Sequence, residues 1–269
     1  MNSHVIRYFR KYSEEDIPLH LFHDVIPLHE TADVDWTQLS KMTPHLPKGW
    51  IELSRLKTED RIEFTREFWL KTIPYEAKAY EFFQKFFSRL DDVGVFVTQA
   101  FFDSPYECEF VYSLRNESCF FHGRPPSSED EVDQVITDYK GMLPEDFLTF
   151  LYIHDGFSKN NDAGMIPVRS IQFHFQKIVD SVKNQNRPIL CGGQVIDPSD
   201  LIPFYDSYGR GNYQCFYANW DTGQGSGNVY YSKIEHAISN YLDKDHAQEN
   251  LAFSTFLEWL MFYLETIES

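Results

Sequence analysis

The sequence predicts an α+β protein in two parts: an antiparallel sheet bracketed by helices over residues 128–269, preceded by a separate α+β region, residues 1–125, with a helix and a three-stranded meander. Three observations predict it. Apolar stripes at helical spacing frame runs of aromatic and β-branched residues, Gly, Pro, Asn and Asp punctuate those runs as hairpin turns do, and the segment His122-Gly123-Arg124-Pro125-Pro126-Ser127-Ser128 interrupts every periodicity.

In the first region, Tyr75 to Leu90 follows Pro74 and places Ala79, Phe82, Phe83, Phe86 and Leu90 on one helical stripe. Three strand-like runs follow, Val93–Phe102, Cys108–Leu114 and Ser118–His122, separated by Asp103-Ser104-Pro105 and Arg115-Asn116-Glu117. The first 57 residues show no sustained period and read as coil with short elements.

In the second region, Ser128-Glu129-Asp130-Glu131 has capping-box spacing and opens a helix that runs to about Tyr139, with three carboxylates where the helix dipole favours them. Leu143-Pro144-Glu145-Asp146 places Pro at the first position of a second helix, whose face carries Phe147, Phe150, Leu151 and His154 until Gly156 ends it. Met165–Val168 reads as a short strand and Ile171–Lys183 as a helix. Leu201–Asp206, Asn212–Asn219 and Asn228–Ser232 read as strands, the first two joined by a turn at Ser207–Gly211. Phe253, Phe256, Leu257, Leu260 and Leu264 close the chain in helical register, with Glu258 and Glu265 on the other side.

Composition narrows the function. With 42% hydrophobic and 17% aromatic residues the chain has ample core material, so its net charge of −17 does not make it a disordered acidic tail. Residues 1–125 contain 15 Lys+Arg against 20 Asp+Glu, and residues 126–269 contain 9 against 21. Such a surface repels phosphate backbones and anionic membranes and favours a basic protein partner. Charges break every apolar stretch of the N-terminus before it reaches signal-peptide length, and no run approaches a membrane span, so a cytoplasmic protein is expected. Cys108, Cys119, Cys191 and Cys215 form no C-x-x-C pair and read as reduced, buried thiols.

Three segments together resemble the SUKH superfamily, named for the Syd, herpesviral US and yeast Smi/Knr cell-wall-regulator homology groups. The first is the acidic helix followed by Leu143-Pro144-Glu145-Asp146-Phe147-Leu148 and Phe150-Leu151, ending at His154-Asp155-Gly156-Phe157, with Asp155 where Asn is more usual. The second is Leu201-Ile202-Pro203-Phe204, then Gly209-Arg210-Gly211, then Phe216-Tyr217-Ala218-Asn219-Trp220-Asp221 and Gly225–Val229. The third is Ser254-Thr255-Phe256-Leu257-Glu258-Trp259-Leu260. Order and spacing carry the resemblance, which covers about half of the chain; the insertion around Asn184–Pro198 departs from it. The resemblance implies a non-catalytic protein-binding module, commonly an immunity protein that neutralises a toxin, with a regulatory scaffold of the yeast type as the alternative.

The residues offer little chemistry to set against that. The run Asp221–Gly227 is Gly-rich but precedes a strand pattern, Val229-Tyr230-Tyr231, so a hairpin turn is expected and not a phosphate loop. His20, His23 and His29 with Asp24 and Glu30 lack a metal-binding frame, and no metal or cofactor is expected. His154-Asp155 fits a helix cap better than an acid/base pair. An enzyme with a site around His20–Glu30 and His122 ranks last. The partner-binding residues expected from position and type are Asp206, Tyr208, Tyr213, Trp220 and Asp221, the last four expected to be exposed in or beside turns.

Overall fold

The computed structural model describes residues 1–11, 22–31, 35–115, 119–243, 246 and 249–265. His20 and Asn116–Ser118, named above, lie outside them. The chain divides into two compact units, Met1–Pro125 and Pro126–Ser269.

The first unit contains α1 (Ser3–Tyr8), β1 (Asp24–Pro27), α2 (Trp36–Met42), α3 (Lys48–Ser54), α4 (Thr58–Thr72), α5 (Ala77–Ser88), β2 (Leu90–Gln99), β3 (Tyr106–Leu114) and β4 (Phe120–Gly123). Glu76 caps α5 through bonds from the Lys78 and Ala79 amides, and Ala79, Phe83 and Phe86 are buried as their spacing requires. Leu90, expected on that stripe, instead opens β2, because the helix ends at Ser88. The meander β2–β3–β4 is antiparallel, and β1 adds a fourth strand beside β2 that the sequence did not announce: it is four residues long and ends in Pro27.

α4 is the larger surprise. Its buried positions are Arg61, Thr65 and Trp69, a helical stripe in which only one residue is apolar. The Arg61 guanidinium is satisfied inside, donating to Val93 O at 2.8 Å, Leu56 O at 2.7 Å and Asp92 Oδ1 at 2.6 Å. Trp69 donates from Nε1 to the Tyr112 hydroxyl at 2.9 Å and is surrounded by Phe83, Phe86 and Phe87, which makes the core of this unit aromatic.

The second unit contains α6 (Glu129–Tyr139), α7 (Glu145–Phe150), β5 (Phe157–Lys159), β6 (Gly164–Met165), α8 (Val168–Gln185), β7 (Ile189–Cys191), β8 (Gln194–Ile196), β9 (Leu201–Asp206), β10 (Tyr213–Asp221), β11 (Ser226–Ser232), β12 (Ala237–Ile238), β13 (Ala252–Phe253) and α9 (Phe256–Leu264). The sheet runs β6-β9-β10-β11-β12-β7-β8, with β13 also paired to β11. All its pairings are antiparallel except β12 with β7. The expected α+β architecture is thus present.

The reciprocal capping box at Ser128 and Glu131 forms as its spacing predicts. Pro144 is the N-cap of α7, one position before the expected one, and α7 stops at Phe150 with a turn continuing to Ile153. His154 and Asp155 therefore do not cap α7. Asp155 instead accepts from the Val168 amide at 2.8 Å and caps the start of α8, where Pro167 has no side-chain donor or acceptor to do so. Val168 opens that helix and is not the end of a strand. The Asn184–Pro198 insertion holds the β7–β8 hairpin.

Five consecutive residues of β10, Tyr213 to Tyr217, are buried, so both faces of this central strand are covered. On one side Phe204 and Phe216 stack at 4.3 Å, with Phe147, Phe256 and Trp259 packed edge-on or tilted around them. The buried polar pair Gln214 and Asn228 is bonded through both amide nitrogens: Gln214 Nε2 donates to Asn228 Oδ1 and Leu251 O, and Asn228 Nδ2 donates to Phe253 O and Thr255 O. Those bonds lead the chain into α9, which is apolar nearly all round and correspondingly buried.

Candidate functional site

The turn between β9 and β10, Asp206 to Gly211, is where exposed aromatic surface, strained backbone and two cavities meet. Gly209 and Gly211 have φ of 66° and 76°, which glycine accepts without cost. Tyr208 has φ 52° and ψ 25°, a left-handed conformation that is unfavourable for a bulky residue, yet its side chain is 68% exposed. It is held there from below: its amide donates to Asp162 Oδ1 at 2.8 Å.

Asp162 is the anchor of this side. Its other oxygen accepts from the Tyr205 hydroxyl at 2.8 Å and the Tyr263 hydroxyl at 2.9 Å, so β9 and α9 both fix it. Burial, reinforced by the Asp162 charge, raises both phenols far above the ordinary tyrosine value and keeps them as donors. Tyr205, Tyr208, Phe262 and Tyr263 line a cavity of about 490 Å³ over this anchor.

On the other side of the turn Asp206 is only 5% exposed. Its Oδ1 accepts from the Gly211 amide at 3.1 Å and its Oδ2 lies 3.7 Å from His174 Nδ1, which also contacts the Tyr213 hydroxyl at 3.3 Å. Burial raises the Asp206 carboxyl, opposed by the Gly211 bond and the Lys177 charge. Burial, with help from Lys177, lowers His174 and favours its neutral form. A second cavity, about 400 Å³, opens here between α8, the turn and the start of β10.

The five sequence-expected contact residues therefore do not form one patch. Asp206, Tyr208 and Tyr213 flank the turn, while Trp220 and Asp221 lie at the far end of β10, roughly 25 Å away at the usual rise per residue. Of the four expected to be exposed, Tyr208 and Asp221 are, Trp220 is half-buried against Tyr241 at 5.1 Å, and Tyr213 is a core residue at 2%. Tyr213 starts the strand facing α8, which corrects its expected exposure, and Asp206 is turned inward and holds the turn. Asp221 accepts from the Gly223 amide at 2.8 Å and closes the Gly-rich hairpin, which is a turn as expected. Asp162, Tyr263, His174 and Lys177 escaped sequence reasoning because they come from separate segments. The one local hint is Asn160-Asn161-Asp162, a turn in which Asn160 has φ 51°.

The histidine-rich N-terminal segment is dispersed into other roles. Asp24 is bonded to Lys11 and Tyr106, His23 meets the Phe102 ring, and His29 is buried beside Phe96 with its basicity lowered chiefly by that burial. His122 pairs with Glu109 at 3.1 Å within the first unit. Among the described residues no group of three His, Cys, Asp or Glu side chains is placed to hold a metal. All four cysteines are buried, and burial pushes the Cys108 thiol up to about 12. No helix among the described residues is long and apolar enough to cross a membrane.

Comparison with known proteins yields no match among curated proteins. The family model described as the SMI1 / KNR4 family (SUKH-1) matches residues 126–261, which spans the whole of the second unit's sheet and the first two thirds of α9. With that match laid over the aromatic sheet, the Leu-Pro helix and the Gly-bounded turn, the chain belongs to the SMI1 / KNR4 family, SUKH-1.

Proposed function

We propose that this chain is a non-catalytic protein-binding protein that engages a basic partner through the Asp206–Gly211 turn, in the manner of an immunity protein. The observation that carries the reading is Tyr208: a large aromatic, 68% exposed, fixed in a left-handed turn by its bond to Asp162. An exposed tyrosine whose backbone is already held loses less entropy on binding, and tyrosine is a typical hot-spot residue. Strain held in place by neighbouring bonds also accumulates at functional positions. The surplus of acid over base in residues 126–269 supplies the matching electrostatics. Buried thiols at Cys108, Cys191 and Cys215 suit a reducing compartment, and we place the protein in the cytoplasm.

The test is affinity capture from native lysate with the full chain and with Tyr208→Ala, followed by titration of the captured protein. A single basic protein, such as a nuclease toxin, bound at least about tenfold more weakly by Tyr208→Ala is the expected result, a loss of about 1.4 kcal/mol or more. Unchanged affinity in the variant defeats the assignment of the turn. A host regulatory protein in place of a toxin favours the scaffold role known for the yeast cell-wall regulators.

A further inference from the structure

The 400 Å³ cavity on the other side of the turn has a composition unlike the surface around it. Three cations from three separate elements stand at its rim: Lys177 of α8, Arg210 of the turn, and Lys233 just after β11. They are three of only nine Lys and Arg in residues 126–269. None makes an ion pair within 4.0 Å among the described residues. Of the two carboxylates nearby, Asp180 accepts from Gln176 at 2.8 Å, and Asp206 is bound by Gly211, faced by His174 and reached by the Lys177 and Lys233 charges only from beyond ion-pair distance. Lys177 rests its ammonium 4.3 Å above the exposed ring of Phe173, a contact it can leave at small cost.

The floor of the cavity supplies neutral donors. Tyr213 and Tyr231 lie parallel with centroids 6.4 Å apart. The Tyr231 hydroxyl belongs to a side chain only 1% exposed and meets no partner at good hydrogen-bonding geometry; burial raises its pKa, and the nearby Ser181 side chain opposes that rise. A buried hydroxyl left unpaired costs on the order of 1–3 kcal/mol, so a group that lines a cavity in this state needs a reason. Gly211 brings rim and floor together. A Cβ placed there would lie 3.7 Å from Lys233 Nζ and 3.8 Å from the Tyr213 hydroxyl, so the ammonium and the phenol flank the same point.

We propose that this cavity is a binding site for a small phosphate-bearing anion, with Lys177, Arg210 and Lys233 neutralising its charge and the Tyr231 hydroxyl donating to it. Three converging cations match a dianion better than a single carboxylate. The volume exceeds that of a free phosphate ion and leaves room for the organic part of a phosphomonoester against the tyrosine rings. The two readings share the Asp206–Gly211 turn through Arg210 and Gly211, but Tyr208 lines the other cavity, so Tyr208→Ala and the cavity variants test them separately.

The experiment measures thermal stabilisation and calorimetric binding of the full chain at low ionic strength with inorganic phosphate, with ribose 5-phosphate and with chloride at matched ionic strength. Saturable binding of ribose 5-phosphate above the chloride control, weakened at least tenfold in Lys177→Gln/Lys233→Gln and severalfold in Tyr231→Phe, and unchanged in Lys140→Gln outside the cavity, is the expected result. Phosphate binding as tightly as the ester, with the same variant pattern, assigns the site to the free ion. Arg210→Gln replaces the double variant if that one does not fold. No stabilisation beyond chloride by either probe, or equal binding in the cavity variants, overturns the proposal. Its failure leaves the Tyr208 titration untouched, so the two readings fail separately.

Discussion

Asp146 holds two helices with one carboxylate. Its Oδ1 accepts from its neighbour's amide, Phe147 N at 2.9 Å, and its Oδ2 accepts from Leu257 N at 3.0 Å, tying the start of α7 to the start of α9. Removing the carboxylate in Asp146→Ala orphans an amide at each helix start, and a loss of about 1–3 kcal/mol in urea unfolding is expected. Burial raises this carboxyl above its usual value despite those bonds. A raised carboxyl binds its proton in the folded state first, so its contribution grows as pH falls through the folded value and levels off below the unfolded one. The stability gap between wild type and Asp146→Ala therefore widens from pH 7 towards pH 4, and a gap that narrows contradicts this account. The pair Phe147 and Phe150 was legible as a buried helix face because apolar type and spacing agree. The role of Asp146 was not, because its second partner lies 111 residues away. The same holds for Tyr213: type and position beside a turn suggested exposure, and only the packing of α8 decides otherwise.

Elements announced themselves where local chemistry and burial pointed the same way. The box at Ser128, the Pro–Gly punctuation and the β9–β10–β11 runs were readable for that reason. α4 was silent because a buried arginine and threonine occupy its inner face, and β7, β8, β12 and β13, at two or three residues each, are too short for any period to show. The β10–β11 hairpin carries a prediction at this scale. A Cβ at Gly227 would sit 2.5 Å from Trp220 Cε3, whereas one at Gly223 meets nothing, so space and not only turn geometry demands the glycine in the strand. Gly227→Ala must displace the indole. A loss of about 1–3 kcal/mol is expected in denaturant unfolding, the range for overpacking, together with a changed Trp220 environment in fluorescence. An alanine accepted at no cost would mean that Trp220 packs differently from the arrangement described.

At the scale of the molecule, the charge is the property that acts at a distance. With 9 basic against 21 acidic residues in 126–269, attraction to a basic partner acts mainly on the rate of encounter. The association rate is expected to fall at least about tenfold between about 20 mM and about 500 mM salt, where the screening length shrinks from beyond 20 Å to under 5 Å, with dissociation much less affected. Rapid-mixing kinetics checks this, and a salt-independent association rate removes the electrostatic part of the proposal. Fold class was legible because it depends only on the sum of many local patterns. The turn's two cavities were not, since each is assembled from elements that meet only in three dimensions.

The order of strands in the second unit also says something about how that unit assembles. β9, β10 and β11 follow one another in the chain and pair as successive hairpins, while β7 reaches β12 across more than forty residues and β13, which begins at Ala252, returns to β11. Closing a short loop costs little entropy and closing a long one costs more, so the central meander is the natural nucleus and the flanking strands are late arrivals. The turn that carries Tyr208 lies inside that nucleus. On this account the turn takes shape with the meander, and the Asp162 and Tyr263 contacts that hold Tyr208 in its conformation from outside it are expected to form afterwards.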